Sequence, residues 1–391
     1  MFVFLPSLLF LAIASAIPSG REDIVYPTVE TLRSGERRVK FRALNQDVEL
    51  RLEPAGDIFS EDFGLYEGEE AKEIPSSVNT LKNKLYKDKK KQAAIYIEDD
   101  EYTSIEGIIG EKMRIMPEET VRDGRRAHRV FEVKQRDGHI RIKDEIIPPG
   151  VKGQNRSEYV DERQSSKVCI VVEIVFCTES HFSGSFSSNE EYEKYLSLTI
   201  VYSQILFDTM SFKIKIIVIG FVKYTKTSEP AFIGASVYTK NPKLLDSEKL
   251  IDSMCKFYAS GKVEIYHRAD VCMLITLKEM AEYTLGIAYV GGVCDKRYKC
   301  AVSQDDPKNF NEYVNTCAHE LAHSVGCPHD EEGPVSYISG SPGTMACKWD
   351  YGYIMSYKTN AQNGTKFSPC SSACAKHLTS LRVSICVQEN C

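Results

Sequence analysis

The sequence predicts an α/β domain on a mixed, mostly parallel twisted sheet over residues 167–391, preceded by a β-rich region over 17–166. Three observations predict it. From Val168 onward, short apolar runs rich in β-branched residues alternate with segments of helical spacing, the pattern of a layered α/β domain. All 13 cysteines lie at or after Cys169, so the chain changes character there. Within the second region, one helix carries His319 and His323 four residues apart, on one face. The composition, 42% hydrophobic and 27% charged over 391 residues, excludes a collagen, a rod and a wholly disordered chain. A net charge of -6 argues against a nucleic-acid binder that works by neutralising phosphates.

The elements follow in order. Met1–Ala16 is apolar, too short to span a bilayer comfortably, and ends in Ala14-Ser15-Ala16, which reads as a signal peptide over 1–16. The mature chain is therefore expected to be secreted, without a membrane anchor, into a compartment where disulfides persist. Asn155 and Asn363 each begin a glycosylation sequon. Strand-like alternation marks Val39–Leu52 and Tyr102–Ile115, with the charged run Lys87–Lys91 between them read as a solvated loop. Arg122–Arg129 is a second basic cluster, either a processing site or an exposed turn. Pro148–Lys167 has linker composition, and Arg156, Arg163 and Lys167 are plausible cut points in it. Beyond it, Val168–Phe176, Phe212–Val222, Asp270–Thr276 and Gly286–Cys294 read as strands. Asn189–Met210 and Leu245–Tyr258 read as helices.

The informative stretch runs from His319 to Asp330. Asp306 and Pro307 supply a cap and a first helical residue; Phe310, Val314, Leu321 and Val325 supply an apolar stripe. His319 and His323 then project together, one turn apart, as two ligands of one ion. Glu320 sits beside them, within reach of a water at that ion. Gly326 is expected to end the helix in a left-handed conformation, so that the returning chain delivers His329 as a third ligand. Three protein ligands leave one position open, the arrangement of a catalytic Zn2+. A closed structural site would need a fourth ligand, and Cys327 is the only nearby candidate; a disulfide is the expected state of that cysteine. A pure binding protein on the same scaffold would have no need of Glu320.

The long histidine motif, followed by Gly352-Tyr353-Ile354-Met355-Ser356-Tyr357, resembles that of the metzincin proteases. Asp330 narrows the resemblance to the reprolysin (adamalysin-like) branch. Cys317 and Cys347-Lys348-Trp349-Asp350 are similar to the salivary metalloproteases of ticks. The resemblance implies a zinc-dependent endopeptidase with protein substrates, made as a zymogen whose propeptide occupies 17–166. It implies that Met355 lies beneath the ligands and that Gly286, Ile287, Ala288 and Gly291 belong to the strand that pairs with substrate. It implies a Ca2+ site of which Glu173 and Asp270 match the acidic positions, with Glu389 or Asn390 as the last ligand, and a disulfide from Cys294 to the C-terminal segment at Cys386. Departures matter too: the Ca2+ site maps only partly, and residues 17–168 contain no cysteine, so any latency must come from another group.

Overall fold

A computed structural model describes residues 20–133, 144–148, 168–260, 263–306, 310–358 and 362–390. The apolar start Met1–Ala16, the Asn155 sequon, Pro307 and the cut points Arg156, Arg163 and Lys167 lie outside the described residues. The amino-terminal region contributes β1 (Glu22–Val25), β2 (Thr28–Thr31), β3 (Arg37–Ala43), β4 (Gln46–Pro54), β5 (Phe59–Glu67), β6 (Lys72–Ile74), β7 (Leu85–Asp88), β8 (Ala93–Glu98), β9 (Ser104–Ile109), β10 (Met113–Arg122) and β11 (Arg125–Glu132). Among the described residues, nine of these form one sheet in the order β1-β11-β10-β9-β8-β7-β4-β3-β2. The two predicted alternating stretches each resolve into a hairpin, β3–β4 and β9–β10. The basic cluster at Arg122–Arg129 is a hairpin too. Asp123 and Gly124 take φ of 51° and 72°, the left-handed pair that a tight two-residue turn requires.

The run Lys87–Lys91 departs from its expected solvated loop. Lys87 and Asp88 are buried at the end of β7, and only Lys89–Lys91 turn outward. The cause is the Asp88 carboxylate, which accepts the backbone N–H groups of Lys90 and Lys91 at 3.0 Å each and that of Arg51 at 2.8 Å. An aspartate that closes its own turn in this way is removed from water.

The second sheet contains β12 (Glu145–Ile146), β13 (Val168–Thr178), β14 (Ile214–Lys223), β15 (Val271–Thr276), β16 (Gly286–Tyr289), β17 (Cys300–Gln304) and β18 (Gln388–Asn390). Its order is β12-β16-β17-β15-β13-β14-β5-β6, with β18 on β13. The strands β14, β13, β15 and β17 run parallel and β16 runs antiparallel to β17, the mixed, mostly parallel α/β sheet expected. Two strands of the amino-terminal region, β5 and β6, belong to this sheet. β5 lies parallel to β14 and covers what would otherwise be an open apolar edge.

Four helices frame the second sheet: α1 (Asn189–Phe207), α2 (Ser247–Ala259), α3 (Phe310–Ser324) and α4 (Pro369–Thr379). One core gathers Ile200 and Leu206 of α1, Val314 and Leu321 of α3, and Ile174 of β13. The other gathers Leu250, Ile251 and Met254 of α2 against Val175 and Leu274. The first core continues into the amino-terminal sheet through Tyr96 and Ile108. Polar contacts reinforce that junction: Tyr202 donates to the Gly110 carbonyl at 2.9 Å, and Asn311 Nδ2 to that of Glu111 at 2.7 Å. The Arg114 guanidinium stands 4.5 Å over the Phe310 ring. No helix among the described residues is long and apolar enough to cross a membrane.

Candidate active site

α3 is described from Phe310, and its buried residues Phe310, Val314 and Leu321 turn the apolar stripe into the core. Its C-terminus follows the sequence expectation. Gly326 takes φ of 98°, Gly326 N–H donates to the His323 carbonyl at 2.9 Å, and Cys327 N–H to that of Ala322 at 3.0 Å. This paired termination satisfies the last carbonyls and reverses the chain. A side chain at 326 would also strike Leu378 of α4, so the position needs glycine for space as well as conformation.

The reversal brings His329 back to the face of α3. The ring centroids of His319, His323 and His329 lie 4.6, 4.8 and 5.2 Å apart, and all three residues are buried. His319 Nδ1 donates to the Ile354 carbonyl at 2.8 Å and His323 Nδ1 to that of Cys327 at 2.7 Å. These bonds fix the tautomer and aim each Nε2 at the shared space. His323 Nε2 is buried there with no hydrogen-bond partner from the protein, which is costly unless something else binds it. The residues therefore fit a metal ion. Single ligand atoms from Asp144, His319, His323 and His329 all lie within 4.8 Å of one another.

The supports lie just behind. Met355 is fully buried, and its carbonyl accepts the Asp330 N–H at 2.9 Å. The Asp330 carboxylate accepts from Ser356 Oγ at 2.9 Å and from Ser368 Oγ at 2.6 Å, tying the His329 segment to the methionine turn and to the start of α4. Tyr357 lays its ring 4.6 Å from that of His329 and donates to Glu332 at 2.6 Å.

Glu320 is buried, with its carboxylate against Gly286 of β16. Any Cβ at 286 would land on that carboxylate, so this glycine makes room for it. Ile287 turns into the second core, and its strand pairs with β17. Gly291 lies past the strand in a turn with φ of 67°, and its N–H is taken by the His323 carbonyl at 2.8 Å. The outward edge of β16 is carried by Ala288 and Val290, whose N–H groups donate to Asp144 and Ile146.

Asp144 and Glu145 were not singled out from the sequence. Asp144 is 3% exposed, with Oδ1 2.8 Å from His329 Nε2 and Oδ2 3.4 Å from His319 Nε2. Burial opposes its charge, but the two imidazoles overcome this and hold the carboxyl well below its usual range. Glu145 stands 3.5 Å from His329 Nδ1. No local spacing announces either residue.

Cys327 departs from its expected state. The sequence expects a disulfide, whereas the structure holds a free, buried thiol that donates to the Ser371 carbonyl at 3.3 Å. Its neighbour in space is another free thiol, Cys374, bonded to the Gly343 carbonyl instead. Disulfides join Cys255–Cys300, Cys294–Cys386 and Cys347–Cys370, the second being the pairing the resemblance implies.

Away from this centre, Asp270 Oδ2 accepts the Glu173 N–H at 2.8 Å. Burial, then the carboxylates of Glu173 and Glu389, push Asp270 up to about 7 against that backbone bond. In β18, Asn390 pairs through its backbone with Val168 of β13. Asn363 is half-buried and donates to the Tyr351 carbonyl at 2.8 Å.

A helix-borne imidazole pair, a third imidazole from the returning chain and a buried glutamate beside them define a zinc-dependent metalloendopeptidase. The chain belongs to the reprolysin family: residues 232–391 match the family described as "Reprolysin (M12B) family zinc metalloprotease". It is 36% identical to the venom metalloproteinase antarease TserMP_A of Tityus serrulatus, over 100% of this chain and 99% of that protein. It is 37% identical to the venom metalloproteinase BumaMPs1 of Olivierus martensii, over 100% of this chain and 98% of that protein. A shorter match, 31% identical over 37% of this chain, is to a Bombyx mori protein named as a disintegrin and metalloproteinase with thrombospondin motifs like. Both of these full-length relatives are named as venom metalloproteinases.

Proposed function

We propose that this chain is secreted and cleaves extracellular proteins, with matrix or clotting proteins as the substrate class. In this reading His319, His323 and His329 hold one Zn2+ and Glu320 is the general base. The observation that carries it is the convergence of three buried imidazoles, two of them locked with Nε2 facing the common space. Zinc, when bound, polarises the scissile carbonyl and acidifies water. Glu320 takes a proton from the attacking water and delivers it to the leaving amine. The backbone of Gly286–Val290 holds the substrate by strand addition. Secretion is supported by the apolar amino terminus, by the disulfides and by the venom origin of the full-length relatives.

The test is cleavage of gelatin or fibrinogen by the mature chain. A zinc chelator is expected to abolish it and added Zn2+ to restore it; chelator-resistant cleavage would reject the reading. Glu173, Asp270 and the β18 end are further proposed to hold Ca2+. A carboxyl raised in the folded state costs stability as pH climbs from the ordinary carboxylate range through about 7, so the cation-free fold weakens over that window. Saturating Ca2+ at pH 8 is therefore expected to raise Tm by roughly 5–10 °C. Asp270→Asn should remove that gain, and an identical melt with calcium or chelator would exclude the site.

A further inference from the structure

The chain contains no cysteine before Cys169, yet a group from its amino-terminal region reaches the histidine centre. That group is Asp144. Its two oxygens face His329 Nε2 at 2.8 Å and His319 Nε2 at 3.4 Å, on the side where a metal would sit. The placement has a built backbone. Ala288 N–H donates to the Asp144 carbonyl at 3.0 Å and Val290 N–H to that of Ile146 at 3.1 Å. β12 thus lies parallel on the outward edge of β16, with Glu145 opposite Ala288 and Ile146 opposite Tyr289. Glu145 adds a second carboxylate, 3.8 Å from His323 Nδ1.

We propose that Asp144 is the latency group of the uncleaved chain, its carboxylate serving as fourth ligand to the zinc ion while β12 covers the substrate strand. This rests on the zinc-site reading above. Carboxylate oxygen is a competent zinc ligand, and three imidazoles plus one carboxylate complete a four-coordinate site. Water then has no place at the metal, and Ala288 and Val290 have no free N–H for a substrate. One segment therefore withholds both the attacking water and the binding edge. Removing residues 144–148 with the rest of the amino-terminal region restores both. Neither blockade needs a thiol.

The test uses the full chain loaded with Co2+, in a Glu320→Ala background that prevents self-cleavage. The readouts are metal content and the visible cobalt spectrum during titration with acetohydroxamate, a small chelator that needs an open coordination position. In the parent chain the spectrum is expected to resist the probe. In Asp144→Ala the probe is expected to bind at least about 100-fold more tightly, with metal content unchanged. Asp144→Asn, which keeps the side-chain shape, provides the same comparison if the alanine variant fails to fold. Equal probe affinity in parent and variants, with one Co2+ per chain, would overturn the latch and leave the zinc site standing. Failure of every chain to take up Co2+ would overturn both. As an independent readout, full-length Asp144→Ala with Glu320 intact should cleave a peptide that the uncut parent leaves whole.

Discussion

Glu320→Gln is expected to lower kcat/KM for a peptide substrate about 1,000-fold, roughly 4 kcal/mol of transition-state stabilisation. Glutamine keeps the volume and the hydrogen-bonding reach of the side chain but accepts no proton at neutral pH. The loss should fall on kcat rather than KM if, as proposed, the group acts in the proton transfer and not in holding the substrate. Zinc content should remain at one ion per chain, since the three imidazoles are fixed by partners other than Glu320. His319 is held by the Ile354 carbonyl, His323 by that of Cys327, and the His329 segment through Asp330. Stability should be unchanged or slightly higher, because a buried carboxylate is replaced by a neutral amide. Steady-state kinetics, metal analysis and a thermal melt separate these effects. Turnover within a few-fold of the parent would remove Glu320 from the chemistry.

Much of this centre could be read from the sequence because its signals are local. A spacing of four puts His319 and His323 on one helical face whatever surrounds them. Gly326 marks the helix end because few other residues take φ near 98°. The alternation of strands and helices after Val168 likewise survives folding, since each apolar run is long enough to be buried. What escaped was set by distance. Asp144 is one carboxylate in a charged stretch, and only the pairing of β12 with β16 gives it a partner. β5 reads as part of the amino-terminal region, and the edge of β14 recruits it. Lys87 and Asp88 looked solvated because a run of charges usually is; the Asp88 carboxylate bonded to its own turn reverses that. Cys327 misled for a related reason. Cysteine counting presumes pairing in an oxidising compartment, but this thiol is enclosed by α4 and the site loop and satisfied by a carbonyl.

The second large effect concerns Asp330, the acid directly after the third histidine. Asp330→Ala is expected to cost about 3 kcal/mol of stability, a fall in Tm of roughly 6–12 °C for a domain of this size. The carboxylate is fully buried and accepts from Ser356 and Ser368, each on a different segment. Alanine leaves both hydroxyls without that acceptor, and Ser368 is also the residue that caps α4 through the Ser371 N–H. Burial raises the carboxyl, and the Ser368 and Ser356 hydroxyls pull it back, so their bonds are what make a charge tolerable there. Activity should fall along with stability, because the Ile354 carbonyl that orients His319 belongs to the turn that Ser356 anchors. Asp330→Asn, which retains an acceptor oxygen and the volume, should lose less than half as much. Such a split would assign Asp330 to holding three segments in register. A full activity loss in the asparagine variant at an unchanged Tm would instead place its charge in the reaction.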